Sequence, residues 1–242
     1  MHRRGRGRGF HNGRMSDAQY GPDFWDEFYR GDSTVWSGAP NQVLVEEVAG
    51  LPPGRALDVG AGEGADAVWL ARNGWRVTAV DISRVALDRA AAHAREYGEE
   101  LGSRIDWWCA DVTTTAPERA AYDLVTAFYF HLPLHPRANA LRGLAASVAP
   151  GGTLLVVGHD PRELELLDDP DQGPSPDSWF MPEEIAALLD ARVFDLQTAT
   201  IRSRTAPTEP ANRRDEEHDH GHGHDHGGGH SADVVVRARR RT

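Results

Sequence analysis

Residues 56–71, ALDVGAGEGADAVWLA, constrain the fold of this chain more than any other stretch. A short apolar run carries one acid, Asp58, and breaks on three glycines at alternate positions, Gly60, Gly62 and Gly64. A helical apolar pattern starts immediately afterwards. Glycine removes the side chain where a backbone must turn tightly or come close to a ligand. A strand that turns on glycines straight into a helix opens a βαβ unit, and such units hold their ligands at the carboxyl ends of the strands.

The rest of the chain repeats the alternation. Residues 55–60, 75–81, 104–111, 122–130 and 152–160 read as strands, and helical patterns fall at 64–73, 84–97 and 137–148. Strands separated by helices of that length make a parallel sheet, and runs apolar on both faces fit a sheet covered on both sides. A further helix at 182–191 has proline in its first turn. Residues 192–202 and 232–240 are two last strands, able to form a hairpin because no helix separates them. The predicted fold is α/β: a doubly wound, mostly parallel, seven-stranded Rossmann-like sheet with an antiparallel C-terminal strand. Its final hairpin should lie at the sheet margin, away from the ligand-bearing strands one to four. Upstream, YGPDFWDEFYR places Phe24, Trp25, Phe28 and Tyr29 at helical spacing. A second helix follows over 41–49, with Asn41 as N-cap and Pro52-Pro53-Gly54 ending it.

A chain of 242 residues suits one domain of this kind, expected over 15–242. Residues 1–14, where Arg and Gly alternate, read as a disordered arm with nothing to bury. They are either an arginine-rich arm for RNA or the product of a start assigned too early, with Met15 the true start. The formal charge is −11, which gives the body no electrostatic reason to bind nucleic acid. No run reaches the roughly 18 apolar residues of a membrane span. The basic start lacks the apolar segment of a secretory signal. A single cysteine, Cys109, rules out an internal disulfide and fits a reducing cytoplasm.

The second and third strands also end in acids, Asp81 and Asp111. An acid after the second strand accepts hydrogen bonds from ribose hydroxyls. The nicotinamide fingerprint Gly-x-Gly-x-x-Gly is one residue longer than the spacing found here, which counts against a nicotinamide-dependent oxidoreductase. Asp58 also counts against it, because an acid repels a diphosphate but attracts a sulfonium or an amino group. Together these motifs resemble the class I S-adenosylmethionine-dependent methyltransferases, over roughly residues 20–240. Within that class, DFWDEFYRGDSTVWSGAPNQVLVE followed by the glycine loop is similar to the tellurite-resistance and thiopurine methyltransferase-like group. The resemblance implies that Asp58, Gly60, Ala61, Gly62 and Gly64 hold the amino-acid end of S-adenosyl-L-methionine. It implies that Asp81 holds the ribose and Asp111 the adenine edge, with Ile82 packed on the adenine. By the same resemblance Val112 and Phe128 line the cofactor, and Trp36 helps to close the site.

Methyl transfer is an in-line displacement for which the cofactor brings the activated group and the protein brings alignment. A soft nucleophile needs no strong base, whereas an oxygen or amine acceptor can need one. The expected acceptor is a small molecule such as a thiol or a metalloid. His131 and His159, after strands four and five, are the candidate catalytic residues, with Tyr129, His135, Asp160 and Arg162 nearby. No Asn-Pro-Pro-Tyr or Asp-Pro-Pro-Tyr follows strand four, against amino methylation of bases or glutamine. Residues 215–231, within the terminal hairpin, carry His218, His220, His222, His224, His226 and His230. Neutral imidazoles ligate nickel and zinc, but interleaved glycines impose no geometry. The loop reads either as a solvated low-complexity segment or as a metal site, and the second option leaves open a metal-binding or sensing protein built on a methyltransferase fold.

Overall fold

The structure, a computed structural model, describes residues 21–31, 35, 38–130, 132–166, 176–204 and 231–242. Seven strands form one sheet: β1 Arg55–Val59, β2 Arg76–Asp81, β3 Ile105–Cys109, β4 Tyr122–Phe128, β5 Val148–His159, β6 Phe194–Ser203 and β7 Ala232–Arg240. Their order is β3-β2-β1-β4-β5-β7-β6. The first five pair in parallel, β7 is antiparallel to both neighbours, and the sheet order reverses between β1 and β4. The mostly parallel seven-stranded sheet expected from the sequence is therefore the one observed, the antiparallel C-terminal strand included.

The helices are α1 Pro22–Phe28, α2 Gln42–Val48, α3 Ala65–Arg72, α4 Arg84–Glu96, α5 Glu99–Gly102, α6 Leu134–Ser147 and α7 Pro182–Ala186. Asn41 caps α2 as expected, its side-chain oxygen accepting from the Val43 amide. Ser83 caps α4 in the same way through Ala86. Both faces of the sheet are covered. On one, Leu57, Val59, Val125 and Ala127 pack against Leu141 and Leu144 of α6. On the other, Ala56, Leu124 and Phe128 pack with Val68 and Leu70 of α3 and Leu44 of α2. Alternate residues of one strand thus enter opposite cores. Among the described residues no helix is long and apolar enough to cross a membrane.

Three boundaries differ from expectation. Helix α6 begins at Leu134 rather than 137, because Pro136 falls in its first turn, where a missing N–H costs nothing. Strand β5 begins at Val148, because Val148 pairs with Tyr122 ahead of an irregularity and Gly151-Gly152 stay within the strand. Helix α7 is short and unwinds into turns after Ala186.

Candidate active site

The glycine loop crosses the carboxyl end of β1 at the switch in strand order. Gly60, Gly62 and Gly64 all have positive φ, at 72°, 52° and 83°, a region that other residues enter only at a cost. The amides of Gly60 and Ala61 both donate to the Val80 carbonyl, at 2.9 and 3.1 Å, folding the loop onto β2. Gly64 is also sterically required: a Cβ there would lie 2.8 Å from both Ala90 Cβ and the Trp107 ring. At Gly60 the nearest such neighbour is a Phe130 ring carbon at 3.6 Å, an ordinary van der Waals contact, so there the positive φ rather than crowding favours glycine.

Asp58 is 3% exposed. Its Oδ1 accepts from Thr126 Oγ1 at 2.9 Å, across the β1–β4 pair in which the two residues are register partners. Its Oδ2 is buried without a hydrogen-bond partner among the described residues. Burial, and then the nearby charge of Asp66, push the Asp58 carboxyl well above its ordinary range. Asp66, in the first turn of α3, is raised by burial too, although its Oδ1 accepts from the Asn41 amide at 2.6 Å. A buried carboxylate oxygen with no donor is costly; an arriving cationic group would satisfy it.

The other two strand-end acids are tied into local turns. Asp81 accepts from the Gly62 amide at 2.9 Å through Oδ2 and from the Ser83 amide at 2.8 Å through Oδ1. Its carboxyl is nonetheless raised, chiefly by burial. A carboxylate has about four acceptor positions, so these bonds leave lone pairs over. Asp111 accepts from the Thr113 amide and hydroxyl at 2.8 and 2.6 Å. Ile82 and Ala61 are half-buried, and Val112 and Phe128 are buried. Trp36 lies outside the described residues. Its flanks are clamped to the glycine loop: the Val35 amide donates to Glu63 Oε2 at 3.0 Å, and Arg89 bridges Glu63 and the Gly31 carbonyl.

A second cluster lies where β4 and β5 end. Tyr129, at φ 48°, follows β4 and stacks on His159, with ring centroids 4.5 Å apart; His159 in turn lies 5.2 Å from the Trp179 ring. The Tyr129 hydroxyl donates to Asp233 Oδ1 at 3.0 Å and accepts from Arg204 at 2.8 Å and from Asn41 Nδ2 at 3.2 Å. Arg204 grips Asp233 through Nε and Nη2, and its Nη2 lies 3.4 Å from His159 Nδ1. Burial and the Asp233 charge push the Tyr129 hydroxyl far above its ordinary range. The expected remoteness of the terminal hairpin is thus corrected. Strand β6 is at the margin, but Arg204 just beyond its end and Asp233 in β7 both reach Tyr129, because β7 inserts beside β5.

The remaining candidates separate. His131 and the six histidines from His218 to His230 lie outside the described residues. His135 is exposed on α6. Asp160 and Arg162 pair with each other at 2.6 Å. Cys109 is half-buried, its thiol 3.6 Å from the Ile82 carbonyl. Among the described residues no group of three His, Cys, Asp or Glu side chains could hold a metal ion. Sequence reasoning passed over Asp66, Trp179, Arg204 and Asp233 and saw Asn41 only as a cap. The one signal for Asp66 was an acid in the first turn of the helix that follows the glycines.

Comparisons with known proteins agree with this arrangement. A family model described as a methyltransferase domain matches residues 56–152. A ubiquinone biosynthesis O-methyltransferase of Bordetella bronchiseptica is 31% identical over 173 residues, 65% of this chain and 68% of the relative. A ribosomal RNA small subunit methyltransferase C of Alcanivorax borkumensis is 34% identical over 48% of this chain and 36% of its own length. The chain spans about half the length of most curated relatives it matches. Among solved structures, a protein from the conversion of a disulfide bond into a thioacetal group during echinomycin biosynthesis superposes with a TM-score of 0.66 at 22% identity, covering 91% of this chain and 92% of that one.

Proposed function

The chain belongs to the class I S-adenosylmethionine-dependent methyltransferases, and from that premise we propose that it transfers the methyl group of S-adenosyl-L-methionine to a small-molecule acceptor with a soft nucleophile, such as a thiol or a reduced metalloid. The observation that carries the reading is the buried Oδ2 of Asp58, without a hydrogen-bond partner among the described residues, at the foot of a loop of three positive-φ glycines. It fits the cationic amino-acid end of the cofactor. The loop from Gly60 to Gly64, with Ala61, would admit that end, Asp81 would take the ribose hydroxyls, and Asp111, Ile82 and Val112 would hold the adenine. Phe128, buried at the end of β4, would line the cofactor. When bound, the cofactor supplies an activated methyl group on a sulfonium.

The protein's own part is alignment and exclusion of water. The second cluster supports a soft acceptor. A guanidinium only donates hydrogen bonds, so Arg204 beside His159 Nδ1 favours that nitrogen as an acceptor. The Tyr129 hydroxyl is held protonated. Tyr129 is thus not available as a base, and a thiolate or a reduced metalloid needs none. The formal charge of −11 favours a small acceptor over nucleic acid. The single cysteine fits a cytoplasmic setting.

Binding of the product S-adenosylhomocysteine tests the first half. At about 100 times its dissociation constant it should stabilise the fold by roughly 2.7 kcal/mol and raise the melting temperature, while NAD should not. Turnover assays with thiols, selenium and tellurium nucleophiles, and phenols test the second half. Exclusive turnover of phenols would replace the soft acceptor with an oxygen one.

A further inference from the structure

We propose that Asn41 is a positioning residue that couples the occupancy of the glycine loop to the acceptor-side cluster. The inference rests on the reading of that loop as the cofactor loop. Three polar groups of this one residue are engaged, each with a different element. Its main-chain amide donates to Asp66 Oδ1 at 2.6 Å. Its side-chain oxygen accepts from the Val43 amide at 2.8 Å and so fixes the first turn of α2. Its side-chain amide nitrogen donates to the Tyr129 hydroxyl at 3.2 Å.

The two ends of this bridge face the two halves of the site. Asp66 lies in the first turn of α3, two residues past Gly64 at the end of the glycine loop, so a ligand seated on that loop meets the turn whose carboxylate holds the Asn41 amide. At the other end, the Tyr129 hydroxyl has three named partners, Asn41, Arg204 and Asp233. Arg204 and Asp233 bind each other and belong to the terminal hairpin. Of the three, Asn41 is the one bonded to the glycine-loop helix. Tyr129 carries the signal further, because its ring stacks on His159 and its hydroxyl shares Arg204 with His159 Nδ1. The backbone of Tyr129 is held in the left-handed region, which bulky residues leave readily when released. Its hydroxyl partners therefore set where the ring lies.

Asn41→Ser isolates the bridge. Serine keeps the helix cap and the main-chain bond to Asp66 but cannot reach Tyr129. Tyr129→Phe deletes the same bond from the other end, together with the hydroxyl's bonds to Arg204 and Asp233, and keeps the ring. The readout is the imidazole NMR signal of His159 in the histidine-labelled full chain, assigned by its loss in His159→Gln, with and without S-adenosylhomocysteine. The wild type should show a shift of that signal on binding. Both variants should bind S-adenosylhomocysteine by calorimetry and lose most of the shift. An undiminished shift in either folded variant, or no shift in a wild type that binds, overturns the coupling. A wild type that does not bind S-adenosylhomocysteine instead overturns the reading of the loop, so the two failures are distinct. Should Asn41→Ser not fold, Tyr129→Phe decides.

Discussion

Replacing the buried acid of β1, Asp58→Asn, should make the ligand-free protein more stable and its cofactor binding weaker. Burial and the neighbouring Asp66 raise the Asp58 carboxyl from the ordinary 3.8 to about 7. A group whose pKa is raised on folding stabilises the fold most below its unfolded value, and that stability is lost as pH climbs through the folded value. Ionised Asp58 therefore destabilises the ligand-free fold above pH 7. At about 1.4 kcal/mol per pH unit the burden is on the order of 4 kcal/mol as an upper bound. The amide removes the charge and its oxygen still accepts from Thr126, but its nitrogen becomes a buried donor costing about 1–3 kcal/mol. The net expectation is a gain of about 1–3 kcal/mol at pH 8, shrinking or reversing at pH 5, where the wild-type carboxyl is already protonated. S-adenosylhomocysteine should bind more weakly by about 1.5–3 kcal/mol, roughly 10- to 150-fold, for loss of a charge-assisted hydrogen bond. Wild-type affinity should itself fall about eightfold from pH 7.5 to 6, with proton release seen as a buffer-dependent enthalpy, and the variant should flatten that profile. Calorimetric unfolding at both pH values and titration in two buffers give all four numbers. A variant less stable than wild type at pH 8, or one that binds as tightly as wild type, would refute the argument.

Asp81→Ala should weaken S-adenosylhomocysteine binding by about 1.5–3 kcal/mol for each charge-assisted bond lost, and equal affinities by titration calorimetry would remove the ribose assignment. Gly64→Ala should lower the melting temperature by an amount equivalent to about 1–3 kcal/mol, because its φ of 83° and the approach of Ala90 and Trp107 both oppose a Cβ; a scanning calorimeter checks this. Deleting residues 217–230 across a short glycine turn should abolish most nickel and zinc binding at neutral pH, and binding by the intact chain should fall as pH drops through the imidazole value of about 6.5. The same deletion leaves Arg204 and Ser231 in place, joined by a 2.8 Å backbone bond, so S-adenosylhomocysteine affinity should survive; its loss would tie the loop to the site.

The glycine-loop half of the candidate site was legible because it is local. Asp58, the three glycines and the helix that follows lie within a few residues of one another, and backbone chemistry dictates their spacing. Asp81 ends β2 and Asp111 follows β3 by two residues, and the apolar runs of both strands mark themselves. The acceptor half was not legible. Tyr129, His159, Arg204 and Asp233 are brought together by the insertion of β7 beside β5, and no local pattern announces which strands will be neighbours. Arg204 and Asp233 lie 75 and 104 residues from Tyr129. His159 was a candidate because it ends a strand, yet its neighbour Arg204 lies just past a strand expected at the sheet margin, away from the site. The start of β5 was misjudged for the opposite reason: Pro150-Gly151-Gly152 is a turn by local preference and a strand by tertiary pairing.

The inner place of β7 bears on how the molecule is made. Strand β7 is flanked on both sides by strands that leave the ribosome before it. Until residues 232–240 leave the exit tunnel, β5 and β6 have nothing between them, and the sites for Val234, Val235 and Val236 in the two cores stay open. A nascent chain in that state offers unpaired strand edges to its neighbours on the polysome. The sheet therefore closes only once residues 232–240 have been made. The half of the candidate site built on Asp233 comes into being only when β7 takes its place.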